Sequence, residues 1–221
     1  MQIVPDTELI QFDGWTLRIR RPTHHAQAPR LLILIHGITG DENSMWVFAR
    51  DLPPHYYWIV APRAPYPASP YGYSWRLRQH ENLDQPSLDV LASAAEELIS
   101  LIEAYSLSAG IDASTFDVMG FSQGAVMSNA LAFLYPHRIR KVGILAGFVP
   151  GGLDELITQR PLQGKPFFVA HGTKDETVTI DRARASIALL EQAGAQVTYC
   201  EDEVGHKVSV NCLKALKEFF A

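Results

Sequence analysis

Residues 31–35 read LLILI, an unbroken aliphatic run that halts at His36-Gly37. A strand with one face in water alternates apolar and polar side chains. A run that is apolar at every position needs cover on both faces, as in a parallel sheet flanked by helices. Shorter runs of this kind recur at 58–61, 116–119, 142–145, 167–170 and 197–200, and segments of helical period lie between them. Leu88, Leu91, Ala95, Leu98, Ile102 and Tyr105 repeat at three- and four-residue spacing, one face of a helix that Pro86 is suited to open. Further helices are predicted over 125–135, stopped by Pro136, over 182–191, stopped at Gly194, and over a last segment ending near Phe220. Strands alternating with helices imply βαβ crossovers, so the expected class is α/β with a mainly parallel central sheet and helices on both faces. Alternation across 7–19 around Asp13-Gly14 predicts a hairpin at one edge.

At 221 residues, with no repeat, low-complexity tract or linker, the chain reads as a single domain over 1–221. Its 47% hydrophobic and 19% charged residues suffice for a buried core. A net charge of -5 argues against a nucleic-acid partner, which needs clustered cations. The longest apolar stretch, 142–149, is far short of the about 20 residues that span a bilayer. The opening MQIVPD has no basic region of the kind that begins a secretory signal. The two cysteines, Cys200 and Cys212, are too few for a disulfide scaffold and lack metal-finger spacing. They are expected to be a reduced strand residue and a reduced helix-face residue in a cytoplasmic protein.

Gly120-Phe121-Ser122-Gln123-Gly124 joins the run at 116–119 to the helix predicted from 125. A serine on a sharp strand-to-helix turn leaves no room for side chains at the flanking positions, which favours glycine at both. Its hydroxyl then projects at a helix N-terminus, where backbone N–H groups favour developing negative charge. With 13 serines and 15 glycines in the chain, such a pattern arises by accident roughly 0.06 times, before strand and helix are required on either side.

A serine hydroxyl needs a base to become nucleophilic, and the base needs a group to orient it. His206 follows the run at 197–200 and Asp175 follows the run at 167–170, so both fall on loops at carboxyl ends of strands, where such sheets gather their sites. The other candidates have plainer roles. His171, beside a glycine at its own strand end, reads as a packing or turn residue and stays a second candidate base. Asp181 and Asp202 suit a cap or a solvated charge. His24 and His25 form an exposed pair, His55, His80 and His137 lie in loops or at a helix end, and Asp41, Glu42 and Asp51 make no metal pattern, so no metal is expected. Acyl transfer also needs oxyanion donors. These are expected from the backbone N–H of Gln123 and from that of Ile38 in the loop His36-Gly37-Ile38-Thr39-Gly40.

The segments His36 to Glu42, Gly120 to Gly124 and Gly205-His206, with the block Ala170 to Val178, resemble the phospholipase/carboxylesterase family of α/β hydrolases, which includes acyl-protein thioesterases and small bacterial carboxylesterases. The likeness spans most of the chain. It implies the α/β-hydrolase fold, a triad completed by Asp175, carboxylic ester or thioester substrates and no cofactor. Ala61-Pro62-Arg63-Ala64-Pro65, with Trp75 further on, is similar to the family's loop beside the acyl pocket. Thr39 is a departure, since family members usually carry glycine there, and a β-branched residue restricts the backbone.

The connection 147–165 holds only a short helical patch, leaving no place for a large cap domain. The long loop 62–85 carries Tyr66, Tyr71, Tyr73 and Trp75. Of these, Tyr73 and Trp75 are the candidate substrate-binding residues, with packing of the loop onto the body as the equal alternative. Arg76 and Arg78 read as solvated charges. The resulting expectation is a serine hydrolase acting on a small-molecule ester or thioester. The rival readings are a catalytically silent binding module on the same scaffold, an acyltransferase and, with less support, a peptidase.

Overall fold

A computed structural model describes residues 6–23, 29–77 and 86–221; His24, His25, Arg78 and His80 lie outside the described residues. The hairpin β1 (Glu8–Phe12) and β2 (Trp15–Arg20) turns at Asp13-Gly14 and is followed by β3 (Arg30–Ile35), the single-turn helix α1 (Trp46–Ala49) and β4 (Tyr57–Pro62). The long loop contains a small ribbon, β5 (Tyr66–Pro67) with β6 (Tyr73–Ser74), then leads to α2 (Leu88–Ala109). The remaining elements alternate: β7 (Phe116–Phe121), α3 (Gln123–Leu134), β8 (Ile139–Leu145), α4 (Asp154–Thr158), β9 (Pro166–Gly172), α5 (Ile180–Gln192), β10 (Gln196–Asp202) and α6 (Val210–Phe220). The eight-stranded sheet runs β1-β2-β4-β3-β7-β8-β9-β10, antiparallel through β1, β2 and β4 and parallel from β4 onward.

The aliphatic run behaves as its pattern requires. Leu31, Ile33 and Ile35 enter a core covered by α2, α3 and α5, whereas Leu32 and Leu34 enter a second core under α1 and α6. All five are essentially inaccessible. Each contributes about 1.5–3 kcal/mol by leaving water, so β3 is secured on both faces and its carboxyl end is a firm base for the loop that follows. The connection 147–165 holds only α4, of five residues. Among the described residues no helix is long and apolar enough to cross a membrane.

Two buried polar arrangements are structural. Arg20 donates to the carbonyls of Arg50 and Leu52 (both 3.1 Å), placing a cation where α1 ends. Asp117 accepts from Arg140 (2.9 and 2.7 Å), the Tyr57 hydroxyl (3.0 Å) and the Lys141 backbone N–H (3.0 Å). It lies near the amino end of β7, away from Ser122.

The cysteine expectation is corrected. Cys200 is on β10 and Cys212 is on α6, but they form a disulfide, with Cα atoms 5.6 Å apart. Strand and helix fold back on each other across a short connection, which brings together two residues separated by 12 positions. Neither spacing nor the small number of cysteines signals this, and an argument for a cytoplasmic location from reduced thiols loses its ground.

Candidate active site

Ser122 sits where β7 gives way to α3, at φ 53 and ψ -117, a backbone region that residues with a side chain rarely adopt. The turn is possible because its flanks are bare. A Cβ on Gly120 would lie 2.1 Å from the Gly124 carbonyl oxygen, and one on Gly124 would lie 2.0 Å from that of Ile35. Helix α3 starts at Gln123, two residues ahead of the sequence reading, because the turn itself supplies the first helical residue.

The structure brings Ser122, Asp175 and His206 together. The Ser122 hydroxyl lies 2.9 Å from His206 Nε2, and His206 Nδ1 lies 2.7 Å from Asp175 Oδ2. Since a carboxylate only accepts, Nδ1 carries the proton and Nε2 is left to accept from the serine. Asp175 is buried, and its Oδ1 accepts the backbone N–H groups of Thr177 and Val178 (both 2.9 Å), which fixes the carboxylate's orientation. The imidazole of His206 also packs against Phe121, with ring centroids 5.1 Å apart.

The second candidate base is placed elsewhere. His171 Nε2 lies 2.8 Å from the Val178 carbonyl oxygen and 3.4 Å from Asp175 Oδ2, so the ring backs the carboxylate and its Nε2 hydrogen is committed to that side. His55 and His137 are exposed. Asp202, at the end of β10, accepts from the Glu203 N–H and from the Asn211 side chain, while the cap of α6 is Ser209. Among the described residues no group of three or more His, Cys, Asp and Glu is arranged to hold a metal.

The loop after β3 passes close to this serine. A Cβ on Gly37 would meet Phe121 and Ser122 at 3.3 Å. Among the described residues, no acceptor pairs with the backbone N–H of Ile38 or of Gln123, and both residues border the cavity beside Ser122. His36 braces the loop: Nδ1 donates to the Gly37 carbonyl (2.7 Å), and Nε2 accepts from the Ala64 N–H (3.0 Å). Burial holds its pKa below the ordinary histidine value. Thr39, the departure from the family's glycine, adopts φ 65. Its N–H donates to the Tyr73 carbonyl (3.0 Å), and its carbonyl approaches Gly72 so closely that a Cβ there would stand 2.0 Å away. Strain at a β-branched residue is thus held in place by β6.

Of the two equal expectations for Tyr73 and Trp75, a substrate wall or packing of the loop, their contacts here are those of packing. Trp75 is fully buried and donates its indole N–H to the His36 carbonyl (2.8 Å), while the Tyr73 hydroxyl accepts from Arg63 (3.1 Å). Neither borders the cavities beside Ser122; both pack the long loop onto the body. The walls come mostly from residues that the sequence reading did not single out, and Arg76, read there as a solvated charge, is half-buried and borders a cavity. A cavity of about 480 Å³ lies between His206, the loop 37–40 and α1, with Met45, Val47 and Phe48 as its apolar side. A second, of about 190 Å³, lies on the other side of Ser122 and is lined by Leu91, Val126, Phe148 and Val178, with Arg76 and Arg182. The four residues of α1 are too few to show a period, so no sequence signal pointed to them.

Residues 17–221 match the family described as Phospholipase/Carboxylesterase. Acyl-protein thioesterase 1 of Yarrowia lipolytica is 30% identical over 172 residues, 70% of this chain and 73% of that protein. Carboxylesterase SOBER1 of Arabidopsis thaliana is 28% identical over 116 residues, 51% of this chain and 50% of that protein. The match thus spans about half the length of that plant carboxylesterase, and 56% of a SOBER1-like relative from the same plant. Among solved structures, the Bacillus cereus carboxylesterase superposes with a TM-score of 0.79 at 20% identity, over 94% of each chain. A carboxylesterase from Mesorhizobium loti also gives 0.79 at 20% identity, over 97% of this chain and 98% of that one. At such identity the likeness shows the shared fold, that of the α/β hydrolases.

Proposed function

The chain belongs to the phospholipase/carboxylesterase family, and from that premise we propose that it is a serine hydrolase of carboxylic esters or thioesters, working as one domain through a Ser122-His206-Asp175 triad. The observation that carries this reading is the continuous hydrogen-bonded chain from the Ser122 hydroxyl through both nitrogens of His206 to a buried carboxylate. Ser122 Oγ attacks the acyl carbon as its proton passes to His206 Nε2, and Asp175 stabilises the imidazolium that forms. The oxyanion accepts from the N–H of Ile38 in the loop after β3 and from that of Gln123 at the N-terminus of α3, a contribution of about 3–4 kcal/mol for each donor in such sites. Collapse expels the leaving alcohol or thiol, protonated by His206, and water then releases the acid from the serine by the same steps in reverse.

The two cavities support a placement for the halves of the substrate. The leaving group must sit beside its proton donor, and His206 borders only the larger cavity. The alcohol or thiol portion therefore occupies the space against α1, and the acyl portion enters the smaller cavity under Phe148. The chemistry needs no cofactor. Ser122→Ala is expected to lower kcat/KM for p-nitrophenyl esters by at least about 10⁴-fold with an unchanged circular dichroism spectrum. A fluorophosphonate should label the wild type and not this variant; turnover retained by Ser122→Ala would overturn the reading.

A further inference from the structure

Ser122 and Asp175 follow strands inside the sheet, but His206 does not. It sits between β10, which is an edge strand, and α6. The ties on that segment gather at its start and on the ring itself: the Val204 and Gly205 carbonyls press on Gly172, where a Cβ would lie 2.2 and 2.3 Å away, and the imidazole bonds to Asp175 and Ser122 and packs on Phe121. Thr173 and Lys174 donate backbone N–H groups to the carbonyls of Asp202 (2.9 Å) and Val204 (3.0 Å), and Asn211 reaches back to the Asp202 carboxylate (2.9 Å). Besides the backbone, the covalent tie between its flanks is the Cys200–Cys212 disulfide, which spans a separation of 12 positions with His206 at its midpoint.

We propose that this disulfide is a positioning element for His206: the oxidised protein is the fully active form, and breaking the bond lowers turnover while leaving substrate binding nearly unchanged. The proposal rests on the triad reading above. A crosslink that brackets a loop symmetrically restricts both of its ends, and so limits how far the imidazole strays from Ser122 and Asp175. Misplacement of a reacting group by about 1 Å is enough to cost on the order of 100-fold in rate. Much of the cavity walls comes from α1, α2 and α3, which the disulfide does not join, so KM is the parameter expected to hold. The bond is accessible to reductant from one side: Cys212 is buried on α6, whereas Cys200 is half-exposed on the edge strand. In exchange with a small dithiol, the disulfide takes up two electrons and two protons to give two thiols, and the dithiol leaves as its own disulfide.

The experiment compares the oxidised wild type, the wild type reduced with dithiothreitol and then reoxidised, and the double variants Cys200→Ser/Cys212→Ser and Cys200→Ala/Cys212→Ala. Assays run well below each form's melting temperature. Thiol titration of the unfolded, unreduced protein should find no free thiol. Reduction and both double variants should lower kcat by about 10- to 100-fold and slow fluorophosphonate labelling of Ser122 in parallel, with KM within about two-fold. Reoxidation should restore the wild type, while an oxidant should not restore the variants. Two free thiols in the unreduced protein, or a lowered melting temperature with kcat unchanged, overturns the proposal alone. An oxidised wild type that neither hydrolyses esters nor reacts with the fluorophosphonate overturns the hydrolase reading and this proposal with it.

Discussion

The turn bearing Ser122 and the segment bearing His206 end on the same hydrogen bond but are held in place by different balances of sterics and directional ties. Excluded volume shapes the turn: Gly120 and Gly124 stand where any Cβ would overlap a backbone carbonyl, and Ser122 is forced to φ 53. At the histidine segment excluded volume acts only at the start, where the Val204 and Gly205 carbonyls abut Gly172, and the rest depends on directional ties: two backbone hydrogen bonds, the Asn211 bond, the Lys174–Glu203 ion pair (3.4 Å) and a disulfide. Steric control is all or none, because a backbone overlap has no partial remedy. Control by ties is graded, because each one lost widens the range that the imidazole explores.

The largest effect comes from the carboxylate that orients His206 toward the turn. Asp175→Asn should retain the fold and lower kcat by about 10⁴-fold, since an amide in place of the carboxylate favours the wrong imidazole tautomer. Steady-state kinetics checks it, and a loss under ten-fold would separate His206 from its proposed partner. Next is the steric side: Gly124→Ala should destabilise the protein at the upper end of the about 1–3 kcal/mol typical of overpacking and abolish turnover, read by urea denaturation and ester assay. A fully active Gly124→Ala would show that the turn has slack. On the graded side, Asn211→Ala removes one tie and should cost about 0.5–1.5 kcal/mol of stability with only a few-fold fall in kcat. Loss of activity as complete as that of Gly124→Ala would erase the distinction.

The smallest effect at neutral pH concerns His36, which braces the loop facing the turn. Burial, foremost, depresses its folded-state pKa below the unfolded value of about 6.5. Above that pH the ring is neutral in both states and stability does not depend on its titration. As pH falls below it, the unfolded chain takes up the proton that the folded ring resists, so stability declines. The melting temperature should drop between about pH 6.5 and 5, and His36→Asn should flatten that part of the profile. An unaltered profile in the variant would assign the acid sensitivity elsewhere.

The run at 31–35, the strand-helix alternation, the glycine-flanked serine and the positions of Asp175 and His206 after their strands were all legible along the chain. Each follows from the properties of a few neighbouring residues: which faces need cover, where a Cβ is forbidden, where a strand must stop. The tertiary structure alone decided the disulfide, the burial of Trp75, the turn of His171 toward Val178, and the cavity walls supplied by Phe48, Phe148 and Arg182. Those outcomes depend on which distant segments close upon one another. Short-range sterics act within a few residues and can be read there, whereas contacts across the fold exist only after the whole sheet has set the distances between its loops.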